Sequence, residues 1–256
     1  MSNKKKLAVI IMAAGKGTRM KNPDIAKVMY EVAGQPMIAH VVDLSNKLQP
    51  SRILVIVGWQ RNSVVDYFMA TENNIEFVDQ LQQLGTGHAI MQTESYLANF
   101  EGDVLILSGD VPLLTKQTLD GLLKHHNESF ASATIVSAEI SNPTGYGRII
   151  RSKDGSVIKI VEQKDATANE LAVQEINSGI YLFDKVKLFD ALKHLKPTNA
   201  QGEYYLTDVF ENFWKNGWKV SALKTPDSIE IMGINDLNQL EEARKLFDSR
   251  KTIQRS

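Results

Sequence analysis

No cysteine occurs among the 256 residues. That absence excludes a disulfide framework, a thiolate metal site and a cysteine nucleophile, and it fits a reducing compartment. A surplus of one charge sign is missing too, since 29 Lys and Arg face 30 Asp and Glu for a net charge of −1. Proteins that bind nucleic acid or anionic membranes unspecifically carry extra Lys and Arg, so neither partner is expected and any anionic ligand must be met locally. Long apolar runs are also lacking; none approaches the ~20 residues that span a bilayer. Lys4-Lys5-Lys6 before Leu7–Ala14 imitates a secretory signal. The apolar stretch is short for that purpose, however, and it runs into Lys16 and Arg19 instead of a cleavage site. A cytoplasmic protein without membrane insertion is the expectation.

What the chain has is 43% hydrophobic residues, enough for a substantial core, with no repeat and no linker rich in Gly, Ser or Pro. Apolar β-rich runs at 7–14, 53–57, 75–78, 104–107, 133–138, 157–161, 180–183 and 220–223 read as strands. Stretches of helical period lie between them at about 35–48, 61–70, 86–98, 115–127, 186–194 and 205–216. This alternation predicts an α/β fold, a Rossmann-like doubly wound and mostly parallel sheet whose ligand crevice opens at the carboxyl ends of the strands. From about 140 to 180 short strands and turn signals, Pro143-Thr144-Gly145 and Asp154-Gly155, predict a β-rich insertion that carries a second ligand. After Pro226 a helical period resumes through Leu237, Leu240, Ala243 and Phe247.

Chemistry should cluster just after strands. The first run ends in VIIMAAGKGTRM, where Gly15 and Gly17 allow close backbone approach and Lys16 and Arg19 add positive charge, a combination suited to phosphate. It is neither a dinucleotide fingerprint, because Met20 replaces the third glycine, nor a P-loop; a plain strand-to-helix turn is the alternative. Gln80-Leu81-Gln82-Gln83-Leu84-Gly85-Thr86-Gly87-His88 offers planar amides that can answer a pyrimidine edge, or else a polar turn capped by Thr86. Asp110, in Ser108-Gly109-Asp110-Val111-Pro112, puts a carboxylate where nucleotide-borne magnesium would need one, or simply favours a turn. Gly145-Tyr146-Gly147-Arg148, Glu162 and Asn177 mix amides and a carboxylate as sugar hydroxyls require. Asn235 or Asp236, before the last helix, reads first as an N-cap.

Taken together, MAAGKGTRM, AKVMYEVAGQPMI, QQLGTGHA, SGDVPLL, GYGRI, IVEQKDA, EINSGIY, EYYLTD and GIND resemble the sugar-1-phosphate nucleotidyltransferases. The likeness is strongest to the uridylyltransferase half of the bifunctional bacterial uridylyltransferase/acetyltransferase enzymes. It implies the nucleotide-diphospho-sugar transferase fold with a β-rich sugar-binding insertion and a C-terminal helix. It also implies a nucleotidyltransferase domain over 1–228, its nucleotide half at about 1–115 and its sugar half at about 116–228, followed by a helical arm at 229–256. The activity implied is magnesium-dependent synthesis of UDP-N-acetylglucosamine and pyrophosphate from UTP and N-acetylglucosamine 1-phosphate, for cell-envelope precursors. By resemblance, the backbone of Ala14, Gly15 and Gly17 surrounds the nucleotide, and Lys16 and Arg19 face its β- and γ-phosphates. Lys27 meets the α-phosphate, and Gln80, Gln83, Gly85 and Thr86 read uracil. Asp110 and Asn235 hold Mg2+, which makes Arg19, Lys27 and Asp110 the expected catalytic set. Gly145, Glu162, Asn177 and Thr207, with Tyr205 nearby, shape the sugar pocket.

Departures from the family pattern carry their own expectations. Ala26 replaces a common proline before Lys27 and should loosen that loop; Ser108 replaces a frequent tyrosine on the sugar side. The β-helix that performs acetyl transfer in the bifunctional enzymes has no counterpart in these residues, so no acetyltransferase activity is expected, and the oligomeric state stays open. Another sugar 1-phosphate, such as glucose or N-acetylgalactosamine, or another nucleotide would use the same chemistry; a non-catalytic nucleotide-sugar sensor is an alternative of another class. A dinucleotide dehydrogenase would need an acidic residue where Val57-Gly58-Trp59 stands. The five histidines lack zinc spacing. His125-His126 should end a helix at the surface, His88 should pack, and Trp59, Trp214 and Trp218 read as core or subunit contacts.

Overall fold

Apolar runs that never alternate with polar residues belong to strands covered on both faces. The two clearest, 7–12 and 103–108, pair with each other in parallel. The structure, a computed structural model, describes residues 5–20, 22, 24–71 and 74–253; Lys4 of the signal-like start and 254–256 of the arm lie outside the described residues. In chain order its strands are Leu7–Met12 (β1), Glu31–Val32 (β2), Gln35–Pro36 (β3), Arg52–Val57 (β4), Glu76–Asp79 (β5), Asp103–Ser108 (β6), Ala133–Glu139 (β7), Arg148–Arg151 (β8), Val157–Val161 (β9), Glu175–Asp184 (β10) and Val220–Lys224 (β11). Its helices are Met37–Asn46 (α1), Arg61–Met69 (α2), Thr86–Met91 (α3), Lys116–Glu128 (α4), Ala168–Leu171 (α5), Lys185–Leu192 (α6), Val209–Lys215 (α7) and Leu237–Ile253 (α8).

The main sheet runs β11-β7-β10-β6-β1-β4-β5, with β8 and β9 attached beside β10. Ile10 of β1 lies opposite Leu54 on one side and Ile106 on the other. Successive side chains point to opposite faces. Val9, Ile11, Val55 and Leu107 therefore join the core under α1, α2 and α4, while Ile10, Leu54, Ile56 and Ile106 join the core under α3, α6 and α7. A third apolar group, in which Leu240 and Ala243 meet Met20, Val32 and Met37, clips α8 against the segment before α1. Among the described residues no helix is long and apolar enough to cross a membrane.

The parallel alternation holds for β1, β4, β5 and β6 and for β7 with β11, but β10 runs antiparallel to both its neighbours. A parallel return needs a long crossover along one face of the sheet. Between β7 and β10 the chain makes only the β8–β9 hairpin and the four-residue α5, so Glu175 starts β10 opposite Glu139, where β7 ends. Two helices are shorter than their apolar periods suggest. After α3 the chain continues to 98 in turns, with the Thr93 hydroxyl donating to the Ile90 carbonyl at 2.7 Å, yet Leu97 remains buried. Ahead of α7, Leu206–Asp208 is a 3-10 turn. His126 corrects its surface expectation: it is buried at the end of α4, its Nδ1 2.8 Å from Thr134 Oγ1, and burial holds its pKa below the ordinary histidine value.

Candidate functional site

The loop after β1 turns at the carboxyl edge of the sheet. Its Ala14, Gly15 and Lys16 line a cavity of about 530 Å³ together with Lys27, Gln80, Gln83, Gly85, Thr86 and Asp110. A Cβ on Gly15 would meet no protein atom within 4 Å, so the missing side chain there serves no packing and leaves backbone facing the cavity. Gly17 is different: its φ is +58° and an added Cβ would fall 2.5 Å from Cβ of Lys27. Glycine at that position lets the Lys27 segment close against the loop. Arg19, on the 3-10 turn Thr18–Met20, is exposed and stands outside the cavity wall.

Lys27, Asp110 and Asn235 come together from three distant parts of the chain. The Lys27 ammonium donates to a carboxylate oxygen of Asp110 and, at 3.0 Å, to Oδ1 of Asn235. Ala26 does not leave the preceding loop loose. It is fully buried, and its N–H donates to Ser63 Oγ at 3.3 Å, a bond that proline cannot make. Asn235 is aimed by its own neighbours: Nδ2 donates to the Gly233 carbonyl at 3.0 Å, which turns Oδ1 toward Lys27. The N-cap duty falls to Asp236, whose Oδ1 accepts from the Asn238 and Gln239 amides at 2.9 Å. The Ile234 N–H donates to the Asp110 carbonyl at 2.9 Å and pins this segment beside the carboxylate.

Gln80 is buried, and its Nε2 donates to the Gly85 carbonyl at 3.1 Å and lies 3.2 Å from His88 Nδ1. Burial keeps the His88 pKa below its ordinary value, which suits an uncharged ring that packs rather than lines the cavity. Gln83 donates from Nε2 to the Ala14 carbonyl at 2.7 Å and so ties this loop to the glycine loop. Gly85 has φ +110°, and a Cβ there would collide with the Tyr204 carbonyl at 2.6 Å. The close approach permits three bonds between the start of α3 and the segment that follows α6: Tyr204 N–H to the Leu84 carbonyl, Gly87 N–H to the Tyr204 carbonyl, both 2.8 Å, and Leu206 N–H to Thr86 Oγ1 at 3.0 Å.

A second cavity, about 220 Å³, adjoins the first and shares Met12, Thr86 and Ser108 with it. Gly145, Glu162, Asn177 and Thr207 line it; Tyr205 does not, its hydroxyl accepting instead from Gln201 Nε2 at 2.6 Å. Thr207 Oγ1 donates to Glu162 Oε1 at 3.2 Å, while burial pushes the Glu162 carboxyl above the usual carboxylate range. Four steps along β10, from Asn177 to Tyr181, match two along β7. This bulge brings Asn177 Nδ2 to the Tyr181 hydroxyl at 2.7 Å. Tyr181 and Tyr146 line this cavity, and Glu203 lines the larger one. Sequence reasoning passed over all three, although each stands inside a quoted motif.

Residues 8–229 match the family described as nucleotidyl transferase. The chain belongs to that family. Over 242 residues it is 48% identical to the bifunctional protein GlmU of Lactobacillus johnsonii, covering 94% of this chain and 52% of that protein. It is 46% identical over 244 residues to bifunctional protein GlmU of Geobacter metallireducens, covering 95% and 51%. The chain therefore spans about half the length of these curated relatives. Among solved structures, a UDP-glucose pyrophosphorylase complexed with UDP-glucose superposes with a TM-score of 0.77 over 96% of this chain and 99% of that one, at 19% identity. That last likeness concerns the fold, the α/β Rossmann-like sheet of nucleotidyl transferases.

Magnesium is the ion expected for this family, and the donors present fit it. A carboxylate oxygen and an amide oxygen converge on one cationic centre, the Lys27 ammonium, as they would on a divalent ion. Among the described residues no group of three or more His, Cys, Asp or Glu could hold a metal. Two protein oxygens suit magnesium, which commonly takes its other ligands from water and substrate phosphates.

Proposed function

We propose that the chain transfers the uridylyl group of UTP to N-acetylglucosamine 1-phosphate, yielding UDP-N-acetylglucosamine and pyrophosphate. The observation that carries this reading is the pair of adjoining cavities, about 530 and 220 Å³, with cationic Lys16 and Lys27 on the wall of the larger and the neutral and acidic donors and acceptors of the smaller beside it. High identity to proteins named GlmU and the run of uridylyltransferase motifs support this nucleotide and this sugar. The division into a nucleotide half at 1–115, a sugar half at 116–228 and an arm at 229–256 is part of the proposal. It draws support from the larger cavity, lined mostly by residues before 115, and from Asn235, by which the arm reaches Lys27.

In this reaction an oxygen of the sugar phosphate attacks the α-phosphorus in line. A new P–O bond forms as the bond to the β-phosphate oxygen breaks, and pyrophosphate leaves with the electron pair. The nucleophile is already ionised near pH 7, so the task is to align two anions and neutralise their charge. Lys27 meets the α-phosphate, and Lys16 and Arg19 meet the β- and γ-phosphates over the backbone of Ala14, Gly15 and Gly17. Gln80, Gln83, Gly85 and Thr86 hold uracil. Gly145, Glu162, Asn177 and Thr207 hold the sugar, with Tyr205 behind them. Asp110 and Asn235 would hold magnesium, which would supply positive charge to screen the repulsion between the two substrates. UTP is a cytoplasmic metabolite, which places the reaction there.

The test is pyrophosphate release from UTP and magnesium with N-acetylglucosamine, glucosamine, glucose or N-acetylgalactosamine 1-phosphate, each repeated with CTP and with EDTA. Metal-dependent release with UTP and the first sugar alone is expected. Release with another pair keeps the mechanism and replaces the substrate assignment; binding of UTP without release under any condition overturns catalysis in favour of a sensor.

A further inference from the structure

The loop after β4 takes no part in the motifs that define the site, yet it is docked directly on the glycine loop. An added Cβ on Gly58 would fall 2.9 Å from Cβ of Ala14 and 3.0 Å from the carbonyls of Ala14 and Gln80. The Trp59 N–H donates to the Ala14 carbonyl at 3.2 Å, and Gln60 turns the chain away with φ +51° into α2. The backbone of Trp59 is thereby fixed to the residue next to Gly15. Its half-buried ring lies under the Lys16 side chain, with Nζ 5.6 Å from the ring centroid.

We infer that Trp59 is a positioning residue for Lys16, an aromatic platform that keeps this ammonium over the mouth of the larger cavity before a nucleotide arrives. Among the described residues Lys16 has no carboxylate partner within ion-pair distance. An exposed lysine on a four-carbon stem otherwise samples many rotamers. An indole face attracts a cation without neutralising it, so Lys16 is confined yet keeps its full charge for a polyphosphate. A carboxylate in the place of Trp59 would confine the lysine equally and cancel the charge that the ligand needs. The inference rests on the nucleotide reading of the larger cavity, with Lys16 facing the outer phosphates.

Two measurements on the full chain test it. The ring current of Trp59 should shift the ε-methylene protons of Lys16 upfield in a 1H–13C spectrum, with the signal assigned through Lys16→Arg. The shift should vanish in Trp59→Leu and persist in Trp59→Phe. In equilibrium titrations with UTP and magnesium, Trp59→Leu should weaken binding about three- to fivefold, with Trp59→Phe restoring most of it. The loss should shrink in a Lys16→Ala background, because a platform without its lysine holds nothing. An ordinary Lys16 signal in the wild type overturns the inference, as does a Trp59→Leu loss that is unchanged by Lys16→Ala, since that marks a purely structural role. A wild type that shows the ring shift but has no affinity for UTP sinks the nucleotide reading and leaves the Lys16–Trp59 contact standing.

Discussion

On the side of the glycine loop, Lys16 and Arg19 stand exposed and the backbone of Gly15 is open; on the side of β10, Asn177, Tyr181 and Thr207 are less than a tenth exposed and already bonded to protein partners. Attraction between charges has little directional demand, so a polyphosphate can be gathered by exposed cations that need only coarse confinement, such as Lys16 over the Trp59 ring. Neutral hydroxyls offer only directional bonds, each worth little net, and the groups that recognise them must be held in place beforehand. The loops of the larger cavity thus provide charge, whereas the bulge of β10 provides geometry. Thr86 joins the two, because it lines both cavities and accepts from the Leu206 N–H.

The contrast predicts different failures on the two sides. Asp110→Ala should lower turnover most, by about 10³-fold, while circular dichroism and thermal melting remain near wild type; near-normal rates at saturating magnesium would remove Asp110 from the metal site. Lys27→Met should cost about 10²-fold in turnover. It should also tighten Mn2+ binding measured without nucleotide, because the ammonium holds the oxygens of Asp110 and Asn235 that the proposed metal would need. Unchanged or weaker Mn2+ binding would show that the two cations do not compete. On the smaller side, Asn177→Ala should raise KM for the sugar phosphate about 3- to 10-fold and leave the UTP dependence alone. A defect confined to UTP would move Asn177 to the other subsite.

Much of this frame was legible because it depends on local signals. Continuous apolar runs marked β1 and β6, and each glycine or amide loop that lines the larger cavity follows or precedes a strand in the sequence. The direction of β10 was not legible: nothing in EINSGIYLFD encodes whether the preceding excursion crosses the sheet or stays at one end. Arg148–Arg151, two apolar residues between arginines, carries no strand signal until β9 and β10 pair with it. Tyr181 could have been suspected, since i and i+4 share a face of a strand, but its bond to Asn177 depends on a bulge that only pairing with β7 reveals. His126 looked like a surface residue because its partner Thr134 belongs to the next element. Trp59 read as a core or subunit-contact residue for a similar reason, as its neighbour Lys16 lies one whole crossover away.

The comparison extends to acids, and here the expected effect is smallest. Asp208 follows Thr207 behind the smaller cavity, and burial, reinforced by the charges of Asp165 and Glu211 against a bond from Asn199, pushes its carboxyl up to about 6. The ordinary aspartate value is 3.8. Between these two values the folded chain binds more protons than the unfolded chain, so this group makes stability fall as pH rises through that window. Above about pH 6 the ionised carboxylate is a standing cost, of order 1 kcal/mol once solvent screening is allowed for. Asp208→Asn keeps the shape and removes the charge. Its melting temperature should exceed wild type at pH 7, and the difference should close as the pH is lowered toward 4. A constant offset across that range would mean that the amide changes packing rather than charge, and a lower melting temperature at pH 7 would mean that the carboxylate is stabilised where it stands. Only the second result would place Asp208 among the charges that the fold uses, as it uses Lys27 and Asp110, instead of among those it merely tolerates beside a pocket built for neutral groups.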